Sequence, residues 1–186
     1  MARPIFSSRR ERRLWMWTGV VVAAIYSTLG LAGLLAEELG PARLDVLLFL
    51  LGMALVAATV LLGGLQARPG GIDAAVVLGV ITVYLLALSR LSFPERSHLI
   101  EYGVVALLVH AALAERAAGG RHVPLAPLLA VLATAMIGAL DECIQLFLPG
   151  RVFDPVDILF NALAAGMAVG ASLALRWARL RTASRR

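Results

Sequence analysis

The sequence of 186 residues contains no lysine and only one cysteine, Cys143. A single cysteine excludes an intrachain disulfide and a cysteine-based zinc cluster. Because lysine is absent, all 17 basic side chains are arginines, and they concentrate toward the two ends of the chain. Such basic ends favour contact with anionic lipid headgroups, so membrane lipids are the predicted partners and nucleic acid is not.

The sequence is also short of the motifs that mark well-known hydrolases. It has no Gly-x-Ser-x-Gly and no His-Glu-x-x-His motif, which are typical of serine hydrolases and zinc proteases. No cofactor and no metal site are predicted on this basis. A divalent cation held by carboxylates stays open as an alternative, because the chain carries several acids close together in sequence.

Apolar residues dominate what is present. They make up 60% of the chain, with a mean hydropathy of +0.86, against roughly 45–50% in a soluble domain. They fall in blocks of about 18–24 residues, each long enough to cross a bilayer as a helix. The fold class is therefore predicted as an all-α polytopic transmembrane bundle, without a soluble domain. The predicted spans are 14–36, 44–65, 72–88, 94–113, 125–148 and 155–177.

Arginine placement predicts the orientation of this bundle. With six spans, 13 of the 17 arginines fall on one side, which by the positive-inside rule is the cytoplasmic side. Both termini are then cytoplasmic, and the loops before the fourth span and after the fifth face outward. The predicted organisation is a basic tail with two additional helices (1–71), a four-helix core (72–178) and a basic cytoplasmic tail (179–186).

Polar side chains interrupt the last two apolar blocks. They are Asp141, Glu142, Gln145, Arg151, Asp154, Asp157 and Asn161. The first three share one sector of the fifth span, and the last three form one stripe on the sixth. The turn between these spans is short, so the spans are expected to be antiparallel neighbours with the stripes at similar depth.

A third polar group lies on the fourth span. His98, Glu101 and Tyr102 occupy positions i, i+3 and i+4, and Arg96 lies just outside them. An acid at mid-membrane costs about 2.5–3.5 kcal/mol by insertion scales, so such residues usually mark a functional site. The three groups together predict an outward-facing pocket with carboxylates, one imidazole and the guanidinium groups of Arg96 and Arg151.

Structural interpretations stand beside this one. Asp154 precedes Pro155 and is a natural helix N-cap. The whole polar set could equally be a buried network that holds three helices together. Gly166 and Gly170 have the spacing of a small-residue face that allows a neighbouring helix to approach closely.

The polar residues resemble the pattern of the VanZ-like family, which is named after a teicoplanin-resistance protein. The matching segments are Asp141-Glu142-x-x-Gln145-x-Phe147, Pro149-Gly150-Arg151, Asp154, Asp157-x-x-x-Asn161 and, upstream, Arg96-x-His98-x-x-Glu101-Tyr102. The resemblance covers about residues 72–176. Arg96 replaces the usual lysine, which keeps the charge but changes the donor geometry. Ala164 replaces a glycine that usually follows the asparagine, which suggests looser packing.

The resemblance implies a small multi-pass protein of the bacterial cytoplasmic membrane, linked in some members to glycopeptide-antibiotic tolerance. Three functions stay open. In the first, the pocket recognises a lipid-linked or cell-wall glycopolymer. Its predicted ligand-binding residues are Arg151, Gln145, Asp157, Asn161, Glu101, Tyr102 and Arg96.

The second function is catalysis on a lipid-linked envelope substrate. Glu142 would be the general base, His98 an acid or orienting group, and Asp141 the acidic neighbour of Glu142. The third is a structural or ion-relay network, in which the same acids link helices or pass protons.

Overall fold

A computed structural model describes residues 4–28, 40, 43, 47, 71–90, 93–148 and 153–184. In these residues the regular secondary structure is helical, with no strand. The helices are α1 (Arg9–Thr28), α2 (Gly71–Arg90), α3 (Phe93–Ala118), α4 (Ala126–Gln145) and α5 (Pro155–Ala183). The all-α class is thereby confirmed. The predicted second span, 44–65, lies outside the described residues except for Leu47, so six spans stay a prediction.

Three helical segments have the length and composition needed to cross a membrane. They are His98–Ala118 in α3, Ala126–Gln145 in α4 and Pro155–Arg181 in α5. The protein is therefore a helical membrane protein by these criteria. Helix α1 covers only part of the predicted first span, 14–36, because residues 29–36 are not described. The cytoplasmic position of the termini stays a prediction.

The two faces of α4 have opposite chemistry. An exposed apolar stripe follows every fourth residue: Leu128, Leu132, Met136, Leu140 and Ile144. The buried residues of the same helix are Ala130, Thr134, Gly138, Asp141, Glu142 and Gln145. A soluble helix buries its apolar stripe and exposes its polar one. Helix α4 does the reverse, as a helix in contact with lipid should.

The chain divides into two compact units. The first comprises Met1–Leu34 and His98–Val169, and the second comprises Leu35–Ser97 and Gly170–Arg186. The core of the first unit is built from small and β-branched residues, namely Ile25, Val105, Ala106, Val109, Ala130, Ala165, Ala168 and Val169. In the second unit, the guanidinium of Arg181 lies 5.5 Å from the centre of the Trp177 ring.

Local sequence explains where the helices begin and end. Helix α3 ends at Ala118, before Gly119 and Gly120, and the latter has φ +78°. This left-handed conformation is a common helix stop that glycine adopts without strain. At the start of α5, the Asp154 side chain accepts a hydrogen bond from the Val156 N–H at 2.8 Å. The predicted Asp154 cap is thus confirmed.

Among the described residues, no neighbour packs against Gly166 or Gly170, so their predicted packing role stays a prediction. A methyl group added at either position would meet no described atom within 4 Å. Close helix contacts occur at two other glycines. A methyl group on Gly103 would lie 3.7 Å from the Ala168 Cβ atom, and one on Gly138 would collide with Asn161.

Candidate functional site

The last turn of α4 turns three polar side chains inward. Asp141 and Glu142 are fully buried, and Gln145 is 4% exposed. The Gln145 side-chain amide donates a hydrogen bond to Glu142 Oε1 at 2.9 Å. The other carboxylate oxygen, Oε2, accepts a hydrogen bond from the Asp154 backbone N–H at 3.1 Å. Glu142 therefore ties the end of α4 to the start of α5 and is held in one orientation.

Helix α5 adds two side chains from successive turns. Asp157 lies in its first turn and Asn161 one turn further along. Asn161 is fully buried. Neither atom of its amide group has a hydrogen-bond partner among the described residues. A buried polar group left in this state costs about 1–3 kcal/mol.

Helix α3 completes the arrangement through His98. The imidazole Nε2 lies 3.7 Å from Asp157 Oδ2. The ring stacks on Tyr102, with 5.8 Å between the ring centres. Nδ1 of the same imidazole is buried and has no hydrogen-bond partner in the described part of the chain. The His98 side chain thus has one nitrogen aimed at an acid and a second nitrogen with unused hydrogen-bonding capacity.

These contacts bring together seven of the predicted site residues from three helices. They are His98, Tyr102, Asp141, Glu142, Gln145, Asp157 and Asn161, which we call the polar cluster. Ligand-type atoms of His98, Glu142 and Asp157 lie within 4.8 Å of one another. The stripes predicted from spacing therefore meet at similar depth, as antiparallel neighbours should.

Asp141 and Glu142 are adjacent in sequence but have different neighbours. Glu142 is grouped with His98 and Asp157. The electrostatic neighbours of Asp141 include Tyr102 and Tyr26. Successive residues on a helix point about 100° apart, because 3.6 residues make one turn. The two acids therefore face different side chains, although they remain electrostatic neighbours of each other.

The other three predicted site residues, Glu101, Arg96 and Arg151, are not part of the polar cluster as the structure describes it. Glu101 is half-buried and is also an electrostatic neighbour of Asp141. Arg151 lies outside the described residues, and the Arg96 side chain is not described. The two guanidinium groups of the predicted pocket, and the outward orientation of the pocket, therefore stay predictions.

Sequence reasoning missed Tyr26 on α1. Its hydroxyl donates a hydrogen bond to the Ile137 carbonyl oxygen at 2.8 Å. This contact joins α1 to α4 close to Gly138 and the polar cluster. A lone tyrosine in an apolar run gives no sequence signal, so only the tertiary structure identifies it.

A second missed feature lies at Glu11, which is fully buried. Its carboxylate accepts hydrogen bonds from the Ser7 backbone N–H and hydroxyl, both at 2.6 Å. It also lies 2.8 Å from the Arg116 guanidinium. Burial acts to raise the Glu11 pKa, but the Ser7 hydrogen bonds and the Arg116 charge outweigh it, so the pKa is lowered.

A sequence signal for this feature did exist. Ser8 and Glu11 have the Ser-x-x-Glu spacing of a capping box, directly before an apolar run. The Ser8 hydroxyl accepts a hydrogen bond from the Glu11 N–H at 3.0 Å. Part of the predicted basic N-terminal tail is therefore the capped start of a helix, since α1 begins at Arg9.

Comparison with known proteins agrees with the geometry on the class of protein. The sequence profile of the VanZ/LLP1 family matches residues 45–177. The match includes all of the polar cluster, and it begins earlier than residue 72, so it also takes in the predicted second span. No curated protein and no solved structure matches the chain significantly. The residue pattern, the helical architecture and a match over most of the chain lead to one assignment: the chain belongs to the VanZ/LLP1 family.

Proposed function

We propose that the polar cluster binds the polar headgroup of an amphiphilic cell-envelope molecule, such as a lipid-linked or cell-wall saccharide. The observation that carries this proposal is the Asn161 side chain. It is fully buried and its amide makes no hydrogen bond with the described residues. A ligand hydroxyl or amide would satisfy that group and remove a cost of about 1–3 kcal/mol.

The chemistry of the cluster supports a hydroxyl-rich ligand. The carboxylates of Glu142 and Asp157 accept hydrogen bonds, and the amide of Asn161 both donates and accepts them. Saccharides present both kinds of group. The apolar stripe of α4 lies on the opposite face of the same helix, away from the polar cluster. If the predicted topology holds, Arg96 and Arg151 would be available for a phosphate or carboxylate on the ligand.

The direct test is binding of a polyprenyl-diphosphate-linked saccharide to the detergent-purified protein. We compare wild type with Asn161→Leu, which keeps the branched shape of the side chain but replaces the amide with two methyl groups. Binding should weaken about tenfold, the equivalent of 1.4 kcal/mol. Leu140→Ala, on the exposed face of α4, is the matched control and should bind as wild type does. Equal affinity of wild type and Asn161→Leu would overturn the proposal.

Glycopeptide tolerance is proposed as the cellular consequence of such binding, on the strength of family membership. Expression of wild type in a susceptible bacterium should raise the inhibitory concentration of teicoplanin, and expression of Asn161→Leu at the same level should not. An equal effect of both proteins would show that tolerance does not depend on the polar cluster.

A second candidate function is catalysis on the same class of substrate. It is favoured by the orientation of Glu142, whose two carboxylate oxygens each accept a hydrogen bond. Glu142 would act as general base and His98 would hold or return the proton. Product formation, followed by mass spectrometry, should disappear in Glu142→Gln while substrate binding remains. Binding without turnover in wild type would leave recognition as the function.

A further inference from the structure

The polar cluster contains three side chains that could share one metal ion. We propose that His98, Glu142 and Asp157 bind a divalent transition-metal ion of the Zn²⁺ type. Each residue comes from a different helix, and one ligand atom of each lies within 4.8 Å of the other two. The inference rests on the polar cluster being a binding site, and it adds the cation that would organise that site.

The distances are close to those that a metal requires. Two ligands of a tetrahedral zinc, each about 2.0–2.1 Å from the ion, lie about 3.4 Å from each other. His98 Nε2 and Asp157 Oδ2 are 3.7 Å apart. The third atom, from Glu142, completes a triangle that a small side-chain rotation would close around an ion.

The surroundings of the three residues resemble the outer shell of a metal site. The Gln145 amide and the Asp154 N–H hold the Glu142 carboxylate from two sides. Hydrogen bonds of this kind orient ligands around metals and tune the affinity. His98 and Glu142 are buried, at 8% and 0% exposure. The buried amide of Asn161, which has no partner in the described part of the chain, lies one turn beyond Asp157.

The donor atoms indicate the type of cation. Imidazole suits zinc and other late transition metals, whereas sites made only of oxygen suit Mg²⁺ and Ca²⁺. One nitrogen with two carboxylates therefore favours Zn²⁺, with Mn²⁺ as the nearest competitor. Three protein ligands leave a fourth position of a tetrahedral ion open. That position would accept water or an anionic group of the bound ligand.

In the arrangement without a metal, His98 Nε2 faces Asp157 Oδ2 directly, at 3.7 Å. The two arrangements differ in a measurable way, because only one of them binds zinc stoichiometrically. Two other residues must be removed as sources of adventitious binding. Cys143 is an exposed free thiol next to Glu142, and His122 is an exposed histidine.

The experiment measures zinc bound to the detergent-purified protein after chelator treatment and reloading with Zn²⁺. Wild type, Cys143→Ser and His122→Asn should each retain one equivalent. His98→Ala, Glu142→Gln and Asp157→Asn should bind zinc at least about tenfold more weakly. Gln145→Ala should weaken zinc binding about 10–100-fold through the orientation of Glu142. Loss of zinc in Cys143→Ser or His122→Asn, or no stoichiometric zinc in wild type, would overturn the proposal.

X-ray absorption of the zinc-loaded wild type gives an answer that does not depend on how the variants fold. It should report a first shell of nitrogen and oxygen ligands with the outer-shell signal of an imidazole, and a sulfur ligand would overturn the assignment. The saccharide-binding assay separates the two proposals. Binding of saccharide without zinc would reject only the metal site. Stoichiometric zinc with no saccharide binding would reject the proposed ligand.

Discussion

Asn161 lies directly over Gly138, so that a Cβ atom added at Gly138 would lie 2.7 Å from the Asn161 Cβ atom. A Cβ atom is fixed to the backbone, so the collision cannot be relieved by a side-chain rotation alone. The close approach of α4 and α5 at Gly138 therefore requires a glycine, and this position lies one helical turn from Asp141 and Glu142. The position of the polar cluster depends on this helix contact.

Gly138→Ala should lower the unfolding temperature. Alanine is the better helix former by about 0.8–1.0 kcal/mol, but overpacking costs about 1–3 kcal/mol and should prevail. Gly166→Ala is the matched control, because a methyl group there meets no described atom within 4 Å. It should be neutral or stabilising in the same thermal scan. Equal behaviour of the two variants would contradict the close contact.

Asn161→Leu should keep or raise the unfolding temperature while it weakens saccharide binding. The substitution removes a buried amide that has no described partner, and sites kept for binding often carry residues that the fold does not favour. A clear drop in the unfolding temperature would instead support the structural-network interpretation of the cluster.

Asp154→Ala should destabilise the protein by about 1 kcal/mol, because it removes the N-cap of α5. Asp154→Asn keeps an oxygen for the Val156 N–H and should melt close to wild type. Chemical denaturation of the two variants checks the difference. Equal losses would show that the charge of Asp154, and not its capping hydrogen bond, is what matters.

The stability of the protein should depend on pH through Glu11. Its pKa in the folded protein is below the ordinary 4.5, so its stabilising effect is present above pH 4.5 and is lost as pH falls through the lowered value. Glu11→Gln should cost about 1.5–3 kcal/mol at neutral pH. The difference in unfolding temperature between wild type and Glu11→Gln should shrink on acidification.

A control for this prediction is Glu115→Gln, since Glu115 faces the mostly exposed Arg10 at 3.6 Å. A pair with one exposed partner is worth about 0–1 kcal/mol, and a glutamine can still accept the hydrogen bond that the Ser8 hydroxyl donates to Glu115 at 2.9 Å. This variant should therefore change stability less at every pH. A constant gap between wild type and Glu11→Gln down to acidic pH would contradict the lowered pKa.

Membrane topology can be tested with two cysteines at opposite ends of α4. Phe147 follows the helix and is 86% exposed, and His122 precedes it in an exposed loop. In a Cys143→Ser background, Phe147→Cys should react with a membrane-impermeant thiol reagent in intact cells. His122→Cys should react only after permeabilisation. The reverse pattern would invert the predicted orientation.

Much of the fold and of the site could be predicted because the signals are local. The bounds of α2 and α4 follow within about three residues from apolar blocks bounded by glycine and proline, whereas α5 runs to Ala183, beyond the predicted end at 177. The Asp154 cap follows from the proline after it. Helix periodicity predicts that one face of α4 carries Asp141, Glu142 and Gln145. Arg151 and the second predicted span lie outside the described residues and remain predictions.

The sequence by itself determined the helical class and the polar stripes of α3, α4 and α5. These depend only on composition and on the 3.6-residue period of a helix. Only the tertiary structure decided which members of the stripes meet. Helix rotation and crossing depend on packing between residues far apart in sequence, such as Gly138 and Asn161. That packing places Glu142 beside His98 and Asp157.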